Sequence, residues 1–457
     1  MKPIAIFAAI SKRKQMKRTL VAVIILTVLA VLPALAQQQK QQAFATKHAR
    51  MDRSRINVGV YMLQGNARDE AHIKDVADCG IDFVMYMNND TAALNLFQKY
   101  GIGAINVGTV PLWWGGFGDN AGTMSTVNPM SVYEEGAAKF ADHPAIWGIS
   151  ICDEPSCLDF DYLGELVNRL EVLFPNQFIH INLHPIYAPG PREGNDPAKG
   201  ALGTASYQDY IDRYCENVPT DYISYDFYYQ NGGVQQDYAN MRIVSNACRS
   251  TGRSMWVTVQ VNSSKQEEWI SLNQLRFQAY AALAYGAENI TWACYSWGWW
   301  YNQVLWGNGD KTQQYDKLQQ VNRELHALSP NYMKYKNDST FCIGFKGTTM
   351  LLGSGMETSP VYSDGHITDL VAPGCPLLVG KMSRRDGRRG RALFLCPASD
   401  PYDVAPERLR HTLRFRARCG KIKISDGSGP IEVKRLKGGW YEVPIAANQG
   451  ILIESSR

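Results

Sequence analysis

The sequence predicts a (β/α)8 barrel followed by a C-terminal β-sandwich. Three observations carry this. Eight short apolar runs alternate with amphipathic stretches between residues 55 and about 332. Those runs are near-continuously apolar in places, as strands buried on both faces are. Beyond Ser329-Pro330 the helical period fades, and short β-type runs are separated by Gly, Asp and Pro. Eight βα units in this length match a closed barrel. A doubly wound open sheet is the competing arrangement. It usually brings a phosphate-binding glycine fingerprint, and Gly101-Ile-Gly103 continues into Ala-Ile-Asn, so that pattern fails.

The candidate barrel strands are 56–63, 81–87, 102–107, 145–152, 177–183, 222–227, 254–261 and 289–296. Helical patterns lie between them, and each has a stop. The stretch 67–79 meets Gly80 and 92–100 meets Gly101. The stretch 132–141 ends before His143-Pro144, 163–174 at Pro175 and 271–285 at Gly286. In the sandwich, expected at 333–457, the β-type runs are 341–345, 377–379, 392–396, 413–417, 431–433 and 450–453. The basic stretch 383–391 reads as a solvated hairpin turn at Asp386-Gly387, or else as a patch for an anionic ligand.

The formal charge of +4 over 457 residues misleads. Residues 1–36 hold six basic side chains and no acid, which leaves the rest with 41 basic and 43 acidic residues. A nearly neutral folded part argues against nucleic acid as the main partner. The same leader has a positive segment from Lys12 to Arg18, an apolar run from Thr19 to Leu32 and Ala34-Leu35-Ala36 before Gln37. That is the pattern of a secretory signal peptide. The expectation is an exported protein, periplasmic or extracellular, with no stable membrane span after cleavage and a flexible stretch over 37–54. Export permits disulfides. Yet most of the ten cysteines sit inside apolar patterns and read as buried free thiols. No CxxC spacing occurs, so no metal and no cofactor is expected.

In such a barrel the chemistry sits at the C-terminal strand ends. The predicted ends carry Asn88-Asn-Asp90, Trp113-Trp114, Asp153-Glu154, Asn182 and His184, Asp226 and Tyr228, Gln260, and Trp297, Trp299 and Trp300. Carboxylates, amides and flat rings dominate. Rings cover the C–H faces of sugars, while amides and carboxylates meet the hydroxyls. Cleaving a glycosidic bond needs two carboxyl groups, one acid and one base or nucleophile. Trp113, Trp114, Trp297 and Trp299 suit a saccharide platform, or pack beneath loops. Asp153 and Glu154 end an apolar strand, where charge is costly unless it serves something. They equally suit the first turn of a helix beginning near Pro155.

The segment HPAIWGISICDEPS resembles the fourth-strand segment of clan-A glycoside hydrolases, where an Asn-Glu pair carries the catalytic acid. LRFQAYAALAYGAENITWACYSW, residues 275–297, is similar to the helix-seven and strand-eight segment of family 42 β-galactosidase-like barrels. INLHPIYA and ISYDFYYQ look like the fifth and sixth strands of related exported barrels from polysaccharide-degrading bacteria. The resemblance spans about residues 55–300. It implies a glycosidase acting on a saccharide, with Glu154 at the acid/base position and Asp153 in place of the usual Asn. It also implies a glutamate nucleophile ending strand seven, where this chain has Gln260. Glu267 and Glu268 follow but look like the opening of a helix.

Three arrangements stay open. Glu154 acts as acid with Asp226 holding water, an inverting pair expected roughly 6.5–9.5 Å apart. Alternatively Asp153 is the partner carboxylate. The third arrangement is a barrel that binds glycan without cleaving it. Asn182, His184, Tyr228 and Gln260 are further candidates for holding the substrate. Sugar specificity, disulfide pairing and oligomeric state are not readable from the residues.

Overall fold

A computed structural model describes residues 50–115, 118–188, 200–344, 356–398, 401–402, 411–433, 435–446 and 449–456. The leader and most of the stretch after it lie outside the described residues. Eight parallel strands form a closed barrel: β1 (Asn57–Tyr61), β2 (Phe83–Met87), β3 (Gly103–Asn106), β4 (Ile146–Asp153), β5 (Phe178–Asn182), β6 (Tyr222–Asp226), β7 (Ser254–Gln260) and β8 (Ala287–Ala293). Neighbours pair in chain order, and β8 returns to β1 through Asn57–Asn289 to Val60–Trp292. The helices around it are α1 (Glu70–Asp78), α2 (Thr91–Tyr100), α3 (Met130–Ala138), α4 (Phe160–Leu173), α5 (Tyr207–Asn217), α6 (Val234–Thr251), α7 (Leu272–Ala284) and α8 (Gln313–Tyr332). None of the described helices is long and apolar enough to cross a membrane.

Local sequence explains the helix ends. Asp69 accepts from the backbone N–H groups of Ala71 and His72, and Asp90 accepts from that of Ala93. Ser271 and Gln274 form a reciprocal capping box at the start of α7. Gly101 and Gly252 end α2 and α6 in the left-handed conformation. Pro330 does not end α8. It sits in the last turn, which runs on to Tyr332.

Large rings fill the lower barrel. Phe83, Phe178, Tyr222 and Trp256 are buried there, and Tyr222 stacks on Trp256 with centroids 4.0 Å apart. The facing strands make room by having no side chain. A Cβ on Gly59 would lie 2.2 Å from the Phe83 ring, and one on Gly103 would lie 2.1 Å from Trp147. Residues 50–54, the described end of the stretch expected to be flexible, lie fastened at the bottom of the barrel. Arg50 donates to Asp142 and to the carbonyls of His143 and Ile146. Arg53 pairs with Asp221 and donates to Ser254.

The seam between β5 and β6 is different from the others. Its backbone pairing is the single bridge Leu183–Tyr225, with the Leu183 N–H donating to the Ser224 carbonyl at 2.9 Å. Below it, the Tyr222 hydroxyl takes the place of a ladder. It donates to the Ile179 carbonyl at 2.5 Å and accepts from the Ile181 N–H at 3.2 Å.

After α8 come two sheets packed face to face. One has the longer strands β9 (Tyr335–Ile343), β12 (Leu377–Arg384), β13 (Arg391–Pro397), β18 (Ile451–Ser456) and β15 (Lys421–Asp426), flanked by β10 (Thr358–Ser359) and β16 (Gly429–Ile431). The other is β11 (Ile367–Val371), β14 (His411–Ala417) and β17 (Trp440–Ile445). Leu377, Val379, Leu395, Leu413, Phe415, Val443 and Ile453 form the core between them. The larger sheet also packs on the barrel: Phe394 meets Tyr280 of α7 and Tyr332 of α8 at 6.3 and 5.5 Å. The segments β11, β15 and β17 carried no clear β signal, because polar residues such as Lys421 and Lys423 occupy their solvent faces. The basic stretch is the β12–β13 hairpin. Its arginines meet acids: Arg384 with Asp386, Arg385 with Glu288 and Arg391 with Asp364. All ten cysteines are free thiols.

Replacing Tyr222 by Phe keeps the ring stack and removes only the hydroxyl that joins β5 to β6. Two buried backbone groups lose their partner, so urea unfolding should show a loss of about 2–4 kcal/mol. An unchanged midpoint would mean that the hydroxyl does not hold this seam.

Candidate functional site

The C-terminal mouth of the barrel brings Asp153, Glu154 and Asp226 together. Asp153 is the last residue of β4 and Asp226 the last of β6. Asn182, ending β5 between them, ties the two. Its Nδ2 donates to Asp226 Oδ1 at 2.8 Å and to Asp153 Oδ1 at 3.2 Å, and its Oδ1 accepts from Ser224 Oγ at 3.1 Å. Those two carboxyl oxygens lie no further apart than the two bonds laid end to end. Asp153 Oδ2 also accepts from the Tyr61 hydroxyl at 3.2 Å.

Glu154 follows in the left-handed conformation, at φ +52°, and its N–H donates to the Asn182 carbonyl. This turn keeps it at the mouth beside Asp153, rather than opening a helix as the Pro155 reading allowed; the chain first coils at Cys157–Asp159 and α4 begins at Phe160. Among the described residues six non-glycines have positive φ. Five of them, Met62, Tyr86, Glu154, Trp300 and Asn302, belong to the loops and strand ends of this mouth. Such conformations cost about 1–3 kcal/mol each and gather where function requires a set geometry.

Burial acts on all three acids. Burial raises the Glu154 carboxyl to about 8, and the Asp153 charge adds to this. Burial raises Asp226 well above the carboxylate range, with the Glu154 and Asp153 charges next. Asp153 is raised by burial too, but its donors Asn182, Tyr86 and Tyr61 act in the opposite sense. Carboxyls this close cannot all ionise. Asp153 is the one held by the most donors, Asn182, Tyr86 and Tyr61, and Glu154, 24% exposed at its side chain, is the one that faces outward. His184 Nδ1 lies 3.6 Å from Glu154 Oε1. Burial lowers that imidazole to about 4, so it is neutral there.

An aromatic wall stands beside the acids. Tyr61 meets Tyr86 at 4.7 Å and Trp299 at 5.1 Å; Tyr228 meets Trp299 at 5.8 Å and Trp300 at 4.7 Å. Trp114 and Trp297 are each 58% exposed. Trp114 pairs with Asp153 in a two-residue ladder.

Several candidates have other occupations. Trp113 is buried in the core under this ladder. Asn182 is buried and spends its amide on the two aspartates. Gln260 is fully buried, and its side-chain amide donates to Gln230 and to the Asn262 carbonyl and accepts from the Gln230 N–H. Its surroundings leave no face for a substrate. Glu268 pairs with Lys265 in the loop beyond. Tyr61 and Tyr86 were not anticipated. Tyr61 shares the inward parity of Gly59 on β1, the one sequence signal that could have marked it. Asn262 was missed as a brace: it accepts from the Cys294 N–H at 2.6 Å and donates to the Trp299 carbonyl at 2.8 Å, holding the strand-eight loop. No described cluster of His, Cys, Asp and Glu has metal-binding geometry.

The fold is a (β/α)8 barrel followed by a β-sandwich, and solved structures share it. A catalytic mutant of a family 42 β-galactosidase from G. stearothermophilus is similar with a TM-score of 0.53 at 9% identity, covering 89% of this chain and 99% of that one. An Anoxybacillus α-amylase follows at 0.47 and 7% identity, covering 89% and 98%. An endo-β-1,4-mannanase from Thermotoga petrophila gives 0.43 at 8% identity, covering 86% and 91%. No protein-family model and no curated protein sequence matches the chain.

Because the folded protein holds Glu154 protonated to about pH 8 and the unfolded chain only to about 4.5, the favourable term is complete below pH 4.5 and is lost as pH rises through 8. Glu154→Gln stays neutral throughout. Thermal unfolding should therefore show little difference between the two at pH 4, and a variant more stable by a few degrees at pH 9. Equal differences at both pH values would contradict a buried, proton-holding Glu154.

Proposed function

We propose that the chain is an exported glycoside hydrolase acting on a poly- or oligosaccharide. One observation carries the reading: three mutually close carboxyls, tied through Asn182, stand at the barrel mouth against an aromatic wall. The similar fold of a family 42 β-galactosidase agrees with it. The basic and apolar leader supports export.

The chemistry follows from the charges. The C–O bond of a glycoside breaks when a proton reaches the leaving oxygen as positive charge grows at the anomeric carbon. Glu154 supplies that proton, since burial keeps it protonated near neutrality. Asp153, held by Tyr61 and Asn182, is the anion that opposes loss of the proton from Glu154. Asp226 acts in its ionised form, which the Asn182 Nδ2–H favours against burial: it receives the proton of the water that adds to the anomeric carbon, or attacks it directly. The anomer released first distinguishes the two. Trp299 and Trp300 cover the apolar sugar faces, backed by the buried Tyr61 and Tyr228. Gln260 offers no nucleophile, so the second carboxylate comes from β6 rather than β7.

Purified residues 37–457 incubated with a panel of plant, microbial and host glycans should release sugar, followed by NMR. Glu154→Gln should lower kcat by about 10²–10⁴-fold, and Asp226→Asn by a comparable factor, with far-UV circular dichroism unchanged. The wild-type kcat/KM should fall with an alkaline limb near pH 8. A fully active Glu154→Gln variant would sink the assignment. Saccharide affinity without turnover on any glycan would instead identify a non-catalytic glycan-binding protein.

A further inference from the structure

The loops after β1 and β8 enclose a groove of about 430 Å³ beside the acids. It falls in the size range of small-molecule sites, roughly 300–1,000 Å³. Met62, Gln64, Arg68, Tyr86 and Trp297 line it. The geometry points to this groove as a second saccharide subsite, one that takes a neutral sugar residue joined to the ring at the carboxyls. The inference rests on the hydrolase reading for what happens at the acids, but the groove has its own grounds.

The first ground is continuity. Asp153 accepts from Tyr61, Tyr61 touches Tyr86, and Tyr86 is part of the groove wall. The buried Tyr61 ring therefore joins the acids to the groove wall, which places the groove next to them. The second is the exposed ring. Trp297 stands 58% exposed at the groove, although burial would stabilise a residue of this size by more than most others. The loops that present it are braced rather than loose. The Gln64 N–H donates to Ser296 Oγ at 2.9 Å, and Asn66 Nδ2 donates to the Gly307 carbonyl at 2.8 Å. Met62 and Tyr86, which turn the strand ends into the groove, both hold positive φ.

The third ground sets the charge of the ligand. Arg68 is the groove's only cation among its lining residues, and it is already committed. Its Nε and Nη2 donate to the Leu63 carbonyl at 3.0 and 2.8 Å, its Nη1 donates to Asn88 at 2.7 Å, and Asp90 lies 3.6 Å away. A guanidinium so bonded gives shape and a little polarity, not a socket for a carboxylate. The Gln64 carboxamide oxygen accepts no bond among the described residues, which leaves it for a hydroxyl. A flat ring, an amide and a neutralised arginine together fit an uncharged pyranose and do not favour a uronic acid.

The experiment uses neutral cello-, manno-, xylo- and β-galacto-oligosaccharides of one to six residues, the matching aryl monoglycosides, and oligogalacturonides as the charged control. In Trp297→Ala, kcat/KM on oligosaccharides should fall at least tenfold more than on the aryl monoglycoside, and Trp297→Phe should recover most of that difference. A loss equal at every chain length, or a wild type that prefers the uronides, would overturn the subsite. If the wild type cleaves nothing, the hydrolase reading fails separately. Calorimetric affinity for the same ladder then decides: it must rise with chain length in the wild type and drop at least tenfold in Trp297→Ala. A flat ladder, or no binding, would overturn the groove as well.

Discussion

The β5–β6 seam is where closure of the barrel and assembly of the site become one interaction. Elsewhere the strands pair through backbone ladders. Here side chains do the joining: the Tyr222 hydroxyl spans Ile179 and Ile181 below, and Asn182 spans Ser224, Asp226 and Asp153 above. The polar atoms that close the ring at its top are thus the ones that hold two of the three acids. A barrel that opened at this seam would also separate Asp153 from Asp226.

That arrangement explains why three acids are tolerated in one buried place. A buried carboxylate needs donors or must stay protonated. Asp153 has the most donors; Glu154 is pushed toward the protonated form by burial and the Asp153 charge, and Asp226 by burial and both neighbours. The cost adds to that of the left-handed residues around the mouth. It is met by the rest of the fold: the ring-filled lower barrel, the capped helices, and residues 50–55 fastened beneath by Arg50 and Arg53.

The sandwich contributes from the far side. Its larger sheet has two buried faces, one against its partner sheet and one against α7 and α8. Close approach is set by small residues. A Cβ on Gly380 would lie 2.3 Å from the Ala284 carbonyl, and one on Gly450 would lie 2.4 Å from the Tyr280 ring. The helices following β7 and β8 are thereby held between two cores, which steadies the strand ends that carry the Gln260 network and the strand-eight loop.

Much of the fold was legible because it depends on local patterns. Apolar runs, glycine stops and capping residues report on neighbours in the chain, and they placed all eight barrel strands within a few residues. Asp153-Glu154 and Asp226 were legible as acids ending apolar strands. What the chain order could not express is what meets across the barrel. Trp113 and Trp114 are adjacent and chemically equal, yet one is core and the other exposed, because successive residues of a strand point to opposite faces. Gln260 stood where a nucleophile was sought, and only packing shows its amide enclosed by Gln230 and Asn262. Asn182 looked like a ligand for hydroxyls and is instead the tie between two carboxyls. Sequence by itself determined the fold class and the chemical types at the mouth, since periodicity and residue type are local properties. Tertiary structure alone decided which acids stand close together, which amides are already bonded and which rings remain open, since these depend on contacts between strands far apart in the chain.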